Sequence, residues 1–312
     1  MSDSYSDLPE ELRSDLEELL RAGPPLTEEQ QIGRGPAIED LAERLRRGEV
    51  KKLYEARRVG KTTVARAALR RFRIAGGIDA EVNLAIHRRP ADVASELASQ
   101  LAAGMTAPEA ARSTLRRFAG TLKPARRDLG DDASAIIELV DGLLGDGRDP
   151  ARVLVNAGRH ARRSLAVFFD EAHVIGSWPS ADQEALGVAL RDATNLGVVI
   201  ASSEQRAFEL LSGEGGPLQY VGDRFSLPLI VEADWRSELA KRFARLGIPI
   251  LPAALDVLLE SSGGHPYRTM LLARESAIAA ISGAGGGGRC SETHIRAGLL
   301  VARRDEAWNE LT

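Results

Sequence analysis

Two short segments carry residue types at spacings that can do chemistry. In LYEARRVGKTT (53–63) an apolar lead-in runs into a tight turn, and Gly60-Lys61-Thr62 then opens an Ala-, Leu- and Arg-rich helix. In SLAVFFDEAH (164–173) an apolar run ends on two adjacent carboxylates, Asp170 and Glu171. Lys61 offers an ammonium to the β- and γ-phosphates of a nucleoside triphosphate. The backbone N–H groups around Gly60 point into the same anion, with a helix N-terminus behind them. Thr62 supplies a hydroxyl and Asp170 a carboxylate suited to Mg²⁺, and Glu171 is placed to polarise an attacking water. The plainer reading of the carboxylate pair is an N-cap for the residues after 171. His173 reads as a supporting or packing residue.

One residue departs from the phosphate-loop pattern G-x-x-x-x-G-K-[ST]. Its first position is Glu55, followed by Ala56, Arg57, Arg58, Val59 and then Gly60, Lys61, Thr62 and Thr63. Glycine there lets the backbone turn off the strand without steric penalty. A glutamate pointing inward would set a negative charge against phosphates, a repulsion on the order of 4 kcal/mol at ~4 Å and an effective dielectric of ~20. Pointing outward, it costs little.

The surrounding elements must hold these groups. Residues 38–47 have helical spacing and stop at Gly48; VKKLY reads as a strand and TTVARAALRRF as a helix, the order a phosphate loop requires. A second strand is expected at 80–86. A long, mostly helical stretch, roughly 90–163, contains Gly104, Pro108, Pro124 and Gly130. Leu165–Phe169 is a continuous apolar run, as in a strand buried on both faces of a parallel sheet. A helix at 181–194, a strand at 198–200, a helix at 204–211 and a final strand at 225–231 follow. Beyond Asp234 come helices near 235–246, 252–261 and 266–281, a Gly-rich linker at 283–288 and a last helix at 291–311. Ahead of all this, 8–22 reads as an acidic helix ended by Gly23-Pro24-Pro25, with Thr27 capping a brief turn. This gives an acidic arm (1–31) with no assigned role, a nucleotide-binding core (32–232) with a helical insertion at about 90–163, and a helical lid with a last helix (233–312).

The 312-residue chain has a formal net charge of −4, which gives no global pull toward nucleic acid or membrane. Local clusters (Arg44/Arg46/Arg47, Arg70/Arg71/Arg73, Arg116/Arg117, Arg162/Arg163) sit at helical spacing among alanines and carboxylates, as solvated helix faces do. The single cysteine, Cys290, excludes an internal disulfide and a cysteine-based metal cluster. The acidic start is no secretory signal, and no apolar stretch nears the roughly 20 residues of a membrane span, so a cytoplasmic protein is expected.

Six blocks, in order, carry a family resemblance. IGRGPAIEDLAERLRRGE resembles the entry segment of AAA+ ATPases of the signal-transducing (STAND) and archaeal-ATPase type, related to origin-recognition ATPases. RRVGKTT resembles their phosphate loop (Walker A) and FFDEAH their Walker B strand. LGVVIASSEQ (196–205) is similar to the sensor-1 strand, YVGDRFSLPLI (220–230) to the block bearing an arginine before the last core strand, and ESSGGHPYRTMLLA (260–273) to the start of a lid helix.

The resemblance spans about 32–281 and implies an α/β P-loop NTPase fold: a parallel sheet flanked by helices, the AAA+ core, with a C-terminal all-helical lid. It implies ATP and Mg²⁺ as cofactors. Ser202 or Ser203 would watch the γ-phosphate, Pro266 would pack near the adenine, and Gly33-Arg34 would lie over it. Arg224 is either an arginine finger reaching a neighbouring subunit in a homo-oligomer or a strand-edge salt-bridge partner, and Arg268 is an ordinary helix arginine. Three departures stand out: Glu55, the long helical spacer, and the single helix after the Gly-rich tail, where relatives carry a winged-helix domain. The expected function is Mg-dependent ATP hydrolysis coupled to a core–lid conformational change. The alternatives are a nucleotide-gated, non-hydrolysing scaffold and a DNA-associated ATPase; a protein effector or DNA as partner is left open. A superfamily 2 helicase would need a second RecA-like domain, and 232–312 is too short and too helical to build one.

Overall fold

The computed structural model describes residues 5, 8–23, 31–106, 131–145, 148–283 and 288–310. Thr27, Pro108, Pro124, the Arg116/Arg117 pair and most of the Gly-rich linker lie outside the described residues. Two compact units are formed, one from 38–55 and 64–226, the other from 1–37, 56–63 and 227–312.

In chain order the elements are α1 (Glu10–Leu19), α2 (Gly35–Arg46), β1 (Val50–Leu53), α3 (Lys61–Ile74), β2 (Ile78–Asn83), α4 (Pro90–Thr106), α5 (Asp131–Leu144), α6 (Pro150–His160) and β3 (Leu165–Asp170). A 3-10 turn (Ala172–Ser177) leads to α7 (Ser180–Asp192), β4 (Leu196–Ala201), α8 (Gln205–Ser212) and β5 (Asp223–Arg224). The remaining helices are α9 (Glu232–Arg245), α10 (Pro252–Ser262), α11 (Pro266–Ser282), α12 (Glu292–Ala302) and α13 (Glu306–Asn309).

The first unit is a parallel five-stranded sheet in the order β2-β3-β4-β1-β5. Every residue of β3 and β4 is buried, as their unbroken apolar runs require. Val167, Phe169, Val198 and Ile200 share one core with Val93 and Leu97 of α4 and Val153 of α6. At Gly197 the backbone of α2 comes so close that a Cβ would lie 2.5 Å from the Leu45 carbonyl oxygen.

Three boundaries differ from the sequence reading, each for a local reason. β2 starts at Ile78 and ends at Asn83, because the Asn83 side chain accepts the Ala85 N–H at 2.9 Å and turns the chain. The last strand, expected at 225–231, shrinks to Asp223–Arg224. Only Lys51↔Asp223 and Lys52↔Arg224 are in register, and Pro228 has no N–H for a ladder. The last helix breaks after Ala302 and restarts where Asp305 caps the Trp308 N–H.

The second unit is helical. Leu16 and Leu20, from α1 and its cap, join Trp235, Leu239, Phe243, Leu258, Leu272, Ile295 and Trp308 in its core. The Arg242 guanidinium, itself buried, donates to the Leu19 carbonyl at 2.8 Å and so caps α1. Cys290 is fully buried, bridged to Ile250, and burial pushes its thiol pKa up to about 12. Among the described residues no helix is long and apolar enough to cross a membrane.

Candidate functional site

The site residues fall in both units, and each set has its own geometry. In the sheet unit, β3 delivers Asp170 at its carboxyl end, in register with Asn83 of β2. Asp170 is buried and its carboxylate accepts the Glu171 N–H at 3.1 Å. Glu171 is left-handed (φ 55°, ψ 44°), an uncommon state for a non-glycine residue, so the backbone turns sharply between the two carboxylates. The neighbouring strand β4 ends at Ala201, and the next residue, Ser202, donates its N–H to the Leu53 carbonyl of β1 at 3.0 Å. Asp170, Glu171, Ser202, Ser203 and the outlet of β1 therefore occupy the carboxyl edge of three adjacent strands.

Side chains tie this edge together. Ser203 donates its hydroxyl to Glu171 Oε2 at 2.7 Å, and His173 Nδ1 lies 3.4 Å from the same carboxylate oxygen and 3.4 Å from Ser202 Oγ. Ser202 Oγ also accepts the Glu204 N–H at 3.1 Å, which turns the chain into α8. His173 thus bridges the second carboxylate and the serine strand. Its place in D-E-A-H was visible in the sequence, but its contact with Ser202, 29 residues on, was not.

Glu55 and Arg224 resolve each other. The guanidinium donates to both Glu55 carboxylate oxygens, at 3.1 and 3.2 Å, and stacks over the Tyr54 ring at 4.6 Å. In the β1–β5 pairing Arg224 stands opposite Lys52, and its side chain reaches Glu55 just beyond the end of β1, so the charge of Glu55 is offset where it stands. Arg224 is engaged within its own chain.

In the helical unit the phosphate loop leads into α3. Gly60 has φ 97°, a conformation that favours glycine, and Arg58 at φ 62° shares the left-handed region without that freedom. Lys61 is buried and donates to the Ala56 carbonyl at 2.8 Å. Arg34 donates to the Val59 carbonyl at 2.9 Å and also to the Pro228 carbonyl, joining the entry segment to the loop. Gly33 is fixed by space, since a Cβ there would meet Asp234 Oδ2 and Ile230 Cγ2 at 2.8 Å. His265 precedes Pro266 at the start of α11, and burial, then the charge of Arg268, pulls its pKa below the ordinary imidazole value.

Around the loop the sequence reading missed an aromatic support. The Arg58 guanidinium lies 4.3 Å from the Tyr267 ring centroid, and Tyr267 donates its hydroxyl to Asp305 at 3.2 Å. Arg268, expected as a solvated helix arginine, donates through Nε and a terminal nitrogen to the Trp308 carbonyl at 3.1 and 2.8 Å. No spacing rule pairs 267 with 305 or 268 with 308.

The arginine clusters are largely engaged locally. Arg44 pairs with Asp40 at 2.9 Å, Arg46 with Glu43 at 2.8 Å, Arg73 with Asp79 at 3.2 Å and Arg71 with Glu39. Arg163 donates to the Gly104 carbonyl at 2.6 Å.

The fold is that of the AAA+ ATPases. The ORC1 protein of Aeropyrum pernix, solved in complex with DNA, matches with a TM-score of 0.56 at 18% identity over 93% of this chain and 70% of that one. A Walker-type ATPase of Pyrococcus abyssi matches with a TM-score of 0.59 at 17% identity, covering 92% and 76%. The Aeropyrum pernix ORC2 protein, solved in ADPNP–ADP complexes, matches with a TM-score of 0.53 at 19% identity, covering 89% and 69%. At such identities the likeness is one of fold. No family model and no curated protein matches the sequence.

Proposed function

We propose that this protein binds ATP with Mg²⁺ and hydrolyses it, coupling turnover to a conformational change between its sheet core and its helical lid. The observation that carries this reading is the carboxyl edge of β3-β4-β1. There a buried aspartate, a second carboxylate and a serine pair end adjacent strands, and the strand leading into Gly60-Lys61-Thr62 ends with them. Ligands of open parallel sheets bind outside the carboxyl ends of the strands.

The residues fit the cofactors chemically. Loop N–H groups, the start of α3 and Lys61 suit the phosphates, and Gly33-Arg34 with Pro266 would flank the adenine. Thr62 and Asp170, both hard oxygen donors, would hold Mg²⁺, which prefers such ligands. When bound, the ion supplies charge neutralisation on the phosphoryl oxygens. Glu171 takes the proton of the attacking water once its carboxylate leaves the Ser203 hydroxyl, and His173 holds the carboxylate meanwhile. Lys61 exchanges the Ala56 carbonyl for phosphate oxygens.

A second reading is a nucleotide-gated module with little or no turnover. It is favoured by the engaged state of the machinery: Glu171 on Ser203, Lys61 on Ala56 and Arg224 on Glu55. A homo-oligomer using Arg224 as an arginine finger requires the Glu55 pair to open first. Binding of DNA, as in the Aeropyrum pernix ORC1 complex, has less support here, because most clustered arginines among the described residues already hold carboxylates or carbonyls.

Calorimetric titration of Mg-ATP, followed by a phosphate-release assay, separates these readings. Heat lost in Lys61→Ala, with phosphate release lost in Glu171→Gln, is expected for the ATPase. Binding without turnover, indifferent to Glu171→Gln, would install the second reading. No binding to the wild-type protein or to Glu55→Gly would remove both.

A further inference from the structure

An anion nest needs the loop N–H groups turned toward the ligand and its cations free to meet it. Here two loop carbonyls take up the cations instead, Ala56 that of Lys61 and Val59 that of Arg34. The segment 305–310 adds three ties to this arrangement. Arg57 faces Glu310 at 3.7 Å. Arg58 stacks on Tyr267, whose hydroxyl is held by Asp305. Arg268 is bound to the Trp308 carbonyl and lies 5.4 Å from the Trp308 ring centroid. Asp305 also caps the turn by accepting the Trp308 N–H at 3.2 Å.

Six consecutive residues thus engage two arginines directly, Arg57 and Arg268, and a third, Arg58, through Tyr267. The left-handed backbone of Arg58 is costly for a non-glycine residue and persists only where its surroundings impose it. Here the Tyr267 ring and Asp305 are those surroundings. A cavity of about 550 Å³ is lined by Arg58, Tyr267, Leu271 and Val301, with Asp305 and Ala307 of the segment in its wall. Ala307 and Trp308 of this segment are buried, Trp308 in the helical core, so what can give way are its peripheral ties, those of Asp305 and of the exposed Glu310.

We propose that residues 305–310 form a strap that holds the arginines of the phosphate loop and the lid-helix start away from an anion, and that phosphate binding loosens its ties. This rests on the nucleotide reading above. A polyphosphate competes for the guanidinium groups of Arg57, Arg58 and Arg268 more strongly than one exposed carboxylate and one carbonyl. By linkage, whatever weakens the strap tightens the nucleotide, and nucleotide loosens the strap.

The test is hydrogen exchange of the amides 303–310 in the wild-type protein with and without Mg-ADPNP. It is paired with calorimetric titration of the same nucleotide into the wild type, Tyr267→Phe, and the double variant Asp305→Asn/Glu310→Gln. Saturating nucleotide should speed exchange at the Trp308 amide. The double variant should bind about fivefold tighter or more, with Tyr267→Phe shifted in the same direction. Unchanged exchange in the saturated wild type, or variant affinities equal to or weaker than wild type, overturns the strap while leaving nucleotide binding intact. Absence of binding to all three proteins overturns the strap together with the nucleotide reading.

Discussion

Glu55 and Arg224 act as one group. A glutamate at the head of a phosphate loop is a hazard by itself, and one guanidinium nitrogen shared between its two oxygens offsets that charge. The Arg224 side chain is 45% exposed, so solvent limits the strength of the pair to the order of 1 kcal/mol. Arg224→Ala should therefore weaken Mg-ATP binding by about fivefold or less, and Glu55→Gln/Arg224→Ala should restore it. Equal affinities in all three proteins would show that the Glu55 charge never reaches the site. His265 makes a second prediction at this scale. Its folded pKa lies below the ordinary 6.5, so the unfolded chain takes up a proton that the folded chain refuses. The stability present above that value falls as pH drops through it. Urea midpoints measured from pH 8 to 5 should decline more steeply for the wild type than for His265→Gln. At this scale the sequence is legible where residues are neighbours, as in Gly60-Lys61-Thr62 or Asp170-Glu171. It is silent where a partner arrives from elsewhere in the chain, as Ser203 does at Glu171 and Asp305 at Tyr267.

Among the elements, the strands buried on both faces were the most readable, because an unbroken apolar run of strand length has few alternatives. β3 and β4 lie where their runs of Leu, Val, Ile and Phe place them. The last strand was misread because LPLIV is apolar enough to look like sheet, whereas Pro228 denies it a ladder and the Arg34 guanidinium claims the Pro228 carbonyl. Leu229 and Val231 are left exposed in consequence. Close approach of elements is equally hidden in one sequence. Gly197 reads as a weak spot in a strand, yet it is where α2 touches β4 through backbone atoms. Gly197→Ala should destabilise the protein by about 1–3 kcal/mol, seen as a lower urea midpoint, because the added methyl meets backbone and no side chain can yield. An unchanged midpoint would mean that α2 shifts at no cost.

On the scale of the molecule, the chain changes unit at 37/38, 55/56, 63/64 and 226/227, so neither unit is one continuous stretch. The order of strands and helices announced a parallel sheet followed by a C-terminal helical region. Nothing local announced that the acidic arm supplies leucines to that region, since a ten-residue amphipathic helix does not name its partner. Leu16 is fully buried among the lid helices, and Leu16→Ala should cost about 2–5 kcal/mol by loss of transfer energy and by the cavity left behind. Thermal unfolding of that variant checks it; a midpoint within a degree of wild type would mean the arm is dispensable.

The isolation of Cys290 gives the helical unit a chemical clock. Only a thiolate reacts with alkylating reagents, and a thiol with a pKa near 12 inside a closed core offers almost none. Each labelling event therefore counts one opening of the segment that pairs 290 with 249–251. With a single cysteine in 312 residues, the mass of the whole protein reads that count without mutation or probe, in the presence or absence of any candidate ligand.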